Sequence, residues 1–374
     1  MWFFRSPQII YGEEALTFLN SLHMQRALIV TDRFLSGTEI LNKVRRQIVS
    51  AEEVKVFGKI DAEPKLSQII EGRDLLEDFS PDFVIGLGGG SAMDAAKILF
   101  ALNEIPSLSP YDITPINDFK LHVKSTLVEI PTTSGTGSEC SWAAVFTDDV
   151  EKRKNEIASP QILADYAILD PSLTVGLPRE QTVNTATDAL THAIEAYTSQ
   201  WKNVFSDSMA EKAISLISSN ILKVLENPSD LNSRNNMHIG ASMAGISFSN
   251  SQIGLAHALG HALGAEFKVP HGKAVGLYLP HVISFNYDVA RDRYDRLNAI
   301  FSGEFRSSDL SQTVSRFLKR IGESRTVVEA GISRDEYIAR LDDIVTLASE
   351  STGLLTNAKD ASSEDLRQLA LQVV

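Results

Sequence analysis

The chain has 374 residues, more than one ordinary hydrophobic core accommodates, so two domains are the starting expectation. Hydrophobic residues make up 43% and charged residues 22%, which excludes a disordered, fibrous or coiled-coil chain. A formal charge of −13 argues against nucleic acid or an anionic membrane as a partner.

The opening residues, Met1 to Pro7, lack a signal-peptide core, and no apolar run approaches the ~20 residues that span a bilayer. The single cysteine, Cys140, cannot form an internal disulfide, so a reducing cytoplasm is the expected location. Residues 27–31 form an apolar run that ends at Asp32 and reads as a buried strand. A second short strand falls at 54–57. Pro64 opens a helical pattern through Leu66, Ile69, Ile70, Leu75 and Leu76, which closes before Ser80 and Pro81. A strand at 83–87, a helix at 92–102 and a strand at 126–130 follow, the last stopped by Pro131. Strands separated by helices indicate a doubly wound, Rossmann-like parallel sheet. Beyond Pro171 the pattern changes. Segments near 180–200, 207–226, 235–265, 272–290, 308–322 and 334–350 carry helical periodicity, with no convincing strand. Ser333 and Glu336 form a capping-box signature before the last of them. The expected division is an α/β domain over 1–175 and an all-α domain over 176–374.

Two loops follow strands in the α/β half. The strand at 83–87 runs into Gly88, Gly89, Gly90 and Ser91, and a helix with Asp94 and Lys97 follows. Backbone free of side chains, opening onto a helix N-terminus, suits a phosphate. No Gly-Lys-Ser/Thr follows, so this is not a Walker A loop, and Ser91 stands where the third glycine of the dinucleotide fingerprint belongs. The second loop, Pro131 to Glu139, offers hydroxyls and bare amides at the sheet edge where ligands bind. Two such loops on successive strands suggest a dinucleotide. Asp32 can accept hydrogen bonds from a ribose 2′-hydroxyl and repel a 2′-phosphate, or it can cap a turn.

Of eight histidines, six lie in the helical half. Asp188 and His192 share one helix face, as do His257 and His261. The second pair sits in a segment otherwise built of Gly, Ala and Leu, so those rings should be buried and in need of partners. His271 and Gly272 follow Pro270 in what reads as a loop. No glutamate lies between His257 and His261, which removes a zincin protease. An aspartate with several neutral imidazoles suits Fe²⁺ or Zn²⁺ better than Ca²⁺ or Mg²⁺.

Taken in order, Gly88 to Lys97, Pro131 to Glu139, Asp188 with His192, and His257, His261 and His271 with Gly272 resemble the iron-containing (group III) alcohol dehydrogenases. The resemblance implies an α/β dinucleotide-binding domain and a helical domain that holds metal and substrate. It makes Asp188, His192, His257 and His271 the metal ligands, and His261 a histidine that lies beside the cofactor without binding metal; one turn from His257, that imidazole is the expected proton relay. Gly88, Gly89, Ser91, Asp94, Thr132, Thr133, Ser138 and Lys154 fall on its cofactor-binding positions, and Asp32 on the one that selects NAD over NADP. Ala143, Phe248 and Ile253 fall on its substrate positions. All three are apolar, which favours a simple primary alcohol or its aldehyde. Cys140, Ser141 and Trp142 depart from the family pattern. The implied activity is NAD-dependent, iron-assisted alcohol oxidation by a homodimer or higher homo-oligomer. The alternatives are a polyol dehydrogenase of the glycerol or propanediol type and a lyase resembling dehydroquinate synthase. The lyase would need several cations to hold a phosphate, and residues 238–290 offer only Lys268 and Lys273.

Overall fold

The computed structural model describes residues 3–374; Met1 and Trp2, which open the segment read above for a signal core, lie outside the described residues. Two compact units form. One comprises Arg5–Thr133 and Gly137–Val175; the other comprises Gly176–Val374 with Ser134–Thr136 and the residues at Phe3 and Phe4.

The first unit is α/β. Its strands are β1 (Gln8–Tyr11), β2 (Arg26–Asp32), β3 (Glu53–Ile60), β4 (Phe83–Gly88), β5 (Thr126–Pro131), β6 (Ala143–Asp148), β7 (Arg153–Ala158) and β8 (Tyr166–Leu169). Its helices are α1 (Glu39–Gln47), α2 (Leu66–Phe79) and α3 (Gly90–Glu104). Six strands make one parallel sheet in the order β1-β8-β5-β4-β2-β3, and β6 and β7 pair as a separate antiparallel hairpin. Alternate residues of the central strands enter two cores. Leu28, Val30 and Val84 pack with Ala95, Ile98 and Leu99 of α3 on one face. Ala27, Ile29, Ile85 and Val128 pack with Leu41 and Val44 of α1 on the other. A strand covered on both faces needs an unbroken apolar run, which is what these strands have. Each fully buried Val, Leu or Ile contributes roughly 1.5–3 kcal/mol.

Register carries the functional consequence. Thr31 pairs with Leu87 and Leu87 with Ile130, so Asp32, Gly88 and Pro131 end three neighbouring strands at one level. The connection from β2 leads outward to β3, and the chain then crosses back to β4 on the other side of β2. The reversal between β2 and β4 is a topological switch point, where ligands bind in open α/β sheets.

The second unit is helical, with no strand among its described residues: α4 (Arg179–Thr198), α5 (Val204–Glu226), α6 (Leu231–Ser249), α7 (Leu255–Phe267), α8 (His271–Ile300), α9 (Leu310–Ile321), α10 (Arg334–Ala339), α11 (Leu341–Ser349), α12 (Gly353–Thr356) and α13 (Ser363–Leu371). One core of Leu, Ile, Val, Ala and aromatic side chains runs through it. The pattern at 235–265 is two helices, not one, because Gln252 turns into left-handed backbone at φ 73° and breaks the ladder. The pattern at 334–350 is likewise α10 and α11. The capping box forms: the Ser333 hydroxyl accepts from the Glu336 amide and the Glu336 carboxylate from the Ser333 amide.

Candidate active site

At the switch point of the α/β unit, Gly88 has φ +151°, a backbone conformation L side chains rarely adopt, and a Cβ there would lie 2.8 Å from that of Ala92. Gly89 is the N-cap of α3, and no side chain caps that terminus. The two predicted loops meet here. The Thr132 amide donates to Gly88 O at 2.9 Å, and a Cβ on Gly89 would stand 3.7 Å from the Thr133 methyl. Asp32 caps a turn, Oδ1 accepting from the Leu35 amide at 2.8 Å, and its Oδ2 lies 3.4 Å from where a Gly88 Cβ would be. The Ser91 hydroxyl turns back to donate to Ala62 O.

Asp94 and Lys97 brace the second loop. Asp94 accepts from Ser138 Oγ at 2.6 Å and from the Val145 amide at 3.0 Å. Withdrawal from solvent pushes its carboxyl up, against the pull of Lys97. Lys97 is fully buried, its ammonium donating to Ser138 Oγ, Ser141 Oγ and Ala143 O at 2.7, 3.1 and 2.8 Å. All three donors of Lys97 are thereby used within the protein, so it positions the loop and does not reach for phosphate. Lys154 is exposed on β7, and its charge is felt at Asp94.

In the helical unit, α4 brings Asp188 and His192, α7 brings His257, and α8 brings His271. Sequence reading placed His271 in a loop; it is the first residue of α8, with Pro270 as N-cap. One donor atom from each of the four residues lies within 4.8 Å of every other. Asp188 Oδ1 is the hub, 3.7 Å from His192 Nδ1, 3.6 Å from His257 Nε2 and 3.2 Å from His271 Nε2. Asp188, His192 and His257 are buried, and His271 is 35% exposed. Asp188 Oδ1, His192 Nδ1 and His257 Nε2 have no hydrogen-bond partner. Three orphaned acceptors converging in a dry space fit a cation, which would satisfy them all.

The electrostatics agree. Burial opposes charge on Asp188, but the imidazoles packed around it, with ring nitrogens of His257 and His271 turned toward its carboxylate, hold its carboxyl well below the usual range. Burial keeps His192 well below its usual range despite Asp188, which leaves a neutral ring able to donate a lone pair. His257 is pushed up to about 9: burial opposes this, and the carboxylates of Asp188 and Glu195 on either side outweigh it. A cation at Nε2 would take the place of the proton that these two carboxylates otherwise favour there, leaving Nδ1–H on Glu195.

Glu195 escaped the sequence reading. It is 4% exposed and accepts from His257 Nδ1 at 2.6 Å. The spacing 188, 192, 195 is one stripe of a helix, and that periodicity was the signal available. His261 lies one turn after His257, its ring 4.9 Å from that of His271. Phe248, on α6, stacks on His192 at 4.3 Å and 20°. Ile253 precedes α7, and its carbonyl accepts from Thr356 Oγ1 at 2.6 Å. Ala143 belongs to the α/β unit and opens β6. His238, another histidine of the helical half, shares a 3.0 Å hydrogen bond with Ser134 and stands outside the four-residue group.

A glycine-lined switch point in one unit and, in the other, four residues that could hold a metal ion are the features of a dehydrogenase-like enzyme. Comparison narrows this. Iron-containing alcohol dehydrogenase matches residues 6–171, and the C-terminal part of the Fe-containing alcohol dehydrogenase family matches residues 182–374. The chain is 33% identical to the 1-propanol dehydrogenase PduQ of Salmonella typhimurium, over 96% of this chain and 95% of that one. It is 31% identical to an NADPH-dependent butanol dehydrogenase of Clostridium saccharobutylicum, over 96% and 95%. The structure of an iron-containing alcohol dehydrogenase from Thermococcus thioreducens superposes with a TM-score of 0.89 at 29% identity, covering 100% of this chain and 99% of that one. The protein belongs to the iron-containing alcohol dehydrogenase family and is an oxidoreductase that interconverts alcohols and their carbonyl products. Among its described residues no helix is long and apolar enough to cross a membrane.

Proposed function

We propose that the enzyme oxidises primary alcohols, or reduces their aldehydes, with NAD and one divalent first-row metal, Fe²⁺ in the first place and Zn²⁺ as a substitute. The observation that carries this is the convergence of Asp188, His192, His257 and His271 with three acceptor atoms unsatisfied. When bound, the metal supplies a Lewis acid for the alcohol oxygen and the dinucleotide accepts the hydride. Asp188 contributes the ionised ligand and His192 a neutral ring, as their environments dictate. The α3 N-terminus with Gly88 and Gly89 would receive the pyrophosphate, with Ser91, Thr132 and Thr133 beside it. Ser138 would hold the cofactor from the second loop, with Asp94 bracing it from α3 and Lys154 beside the cofactor from β7. Asp32 would take the ribose hydroxyls. His261, partly exposed and beside His271, would pass the alcohol proton to water. Phe248 offers an apolar face next to His192, with Ile253 and Ala143 as further apolar substrate positions, which suits the propanol and butanol of the named relatives.

The lyase alternative has little support: Lys273 is committed to Glu180 at 3.1 Å, and Lys268 is the left-handed cap of α7. Elemental analysis beside NADH formation over ethanol, butanol, hexanol and glycerol tests the proposal. One metal per chain and activity on straight-chain alcohols are expected, with both lost together in His271→Ala. Full metal occupancy in that variant, or a preference for glycerol over butanol, would overturn it. His261→Gln should keep its metal and turn over more slowly with an altered pH profile.

A further inference from the structure

The Glu195 carboxylate is surrounded by donors only. Oε2 accepts from His257 Nδ1 at 2.6 Å and from the Gly254 amide at 2.9 Å, while Oε1 accepts from the Ala256 amide at 2.6 Å. The approach is close enough that a Cβ on Gly254 would stand 3.0 Å from Oε1. α7 has no side-chain cap from its own N-cap residue, Gly254, so a glutamate of α4 serves that terminus instead. Because Nδ1–H is committed to Glu195, the Nε2 of His257 keeps its lone pair and faces Asp188 Oδ1 at 3.6 Å with no hydrogen bond of its own.

We propose that Glu195 is a positioning residue of the metal centre: it fixes the tautomer and ring angle of His257 and supplies a second buried negative charge against the cation. The inference rests on the metal reading above. A ligand histidine whose far nitrogen donates to a carboxylate is held in place and made a better donor. Two buried carboxylates, Asp188 and Glu195, also balance a divalent charge that Asp188 alone would leave half compensated. Glutamine is nearly isosteric, but it brings an NH₂ to a place where every partner is a donor. Either that NH₂ meets the Ala256 amide, or His257 turns its protonated nitrogen toward the metal. Both outcomes weaken the site.

The test uses the full-length protein loaded with Co²⁺ and competed with a chelator, read by the visible absorption of the bound ion. Wild type should hold one Co²⁺ per chain, and His271→Ala should lose it. Glu195→Gln should bind about 10–100-fold more weakly while its circular dichroism stays that of wild type. Asn357→Ala separates capping from ligand positioning: the Asn357 side chain accepts from the Leu255 amide at 3.4 Å at the same helix end and does not touch His257. It should leave Co²⁺ affinity unchanged. If Glu195→Gln does not fold, Glu195→Asp, which keeps the charge but withdraws it by one methylene, should show the weakened binding. Wild-type affinity in the folded glutamine variant, or an equal loss in Asn357→Ala, overturns the role of Glu195. Absence of Co²⁺ binding by wild type overturns the metal reading itself and this inference with it.

Discussion

Single atoms decide the chemistry at Asp32 and Phe248. Asp32 spends one oxygen on the Leu35 amide and turns the other toward Gly88, where an adenosine ribose would lie. A 2′-phosphate there would face a fixed carboxylate, a repulsion of a few kcal/mol, and each ~1.4 kcal/mol is a factor of ten in preference. Asp32→Gly should therefore raise kcat/KM with NADP relative to NAD by about 10–100-fold. It should also cost a little stability through the lost turn bond. Wild-type enzyme that already prefers NADP would refute this reading of the aspartate. Phe248 works by area. Its ring covers one face of His192, and an apolar surface at that point gains contact with each methylene of a straight chain. We expect kcat/KM to climb from ethanol through C3–C6 alcohols by up to ~10-fold per well-buried methylene. Phe248→Ala should flatten that series, and an unchanged series would remove Phe248 from the substrate surface.

Helix packing explains how the ligands can come so near one another. A Cβ on Gly272 would lie 1.9 Å from the Asn184 carbonyl oxygen, one on Gly276 2.5 Å from the Thr187 methyl, and one on Gly260 2.6 Å from Val275 Cγ1. At these points α8 touches α4 and α7 with no room for any side chain. Gly272→Ala must therefore push the first turn of α8 off α4, and His271 moves with it. A loss of about 1–3 kcal/mol is expected, with a drop in metal content. Gly303 has open space around it, so Gly303→Ala should alter neither. Equal metal content in both variants would break the link between close packing and ligand geometry. Packing also accounts for what the sequence revealed. The central strands β2, β4 and β5 could be read because burial on both faces demands continuous apolar runs. β7, with Arg153, Lys154, Asn155 and Glu156, lacks that signal, as do the four-residue β1 and β8. The break between α6 and α7 was hidden because it rests on the conformation of Gln252 and not on a proline. The gathering of Asp188, His192, His257 and His271 was legible through the family resemblance, because helix spacing alone paired His257 with His261 and left His271 in a loop. Glu195 was not, because it serves a helix terminus distant in sequence.

For the molecule as a whole, a metal held by Asp188, His192, His257 and His271 would be a clasp on one unit's native state. α4, α7 and α8 each contribute at least one residue of the cluster, so unfolding the helical unit dissolves it, while the α/β unit keeps its own two cores. A ligand that binds only the folded state stabilises it by mass action, by about 2.7 kcal/mol at a free concentration of 100 Kd. For a unit of this size each kcal/mol raises the midpoint by about 2–4 °C, so metal should raise it by about 5–10 °C. A chelator should reverse the shift. NAD should stabilise the α/β unit by the same arithmetic, so the two additions act on different parts of the chain. Scanning calorimetry of full-length protein with metal, chelator and NAD in turn measures this, with hydrogen exchange reporting which helices gain protection. Metal should protect α4, α7 and the start of α8, and His271→Ala should lose most of that gain. If metal shifts the midpoint of His271→Ala as far as that of wild type, the stabilising ion sits somewhere other than among these four residues.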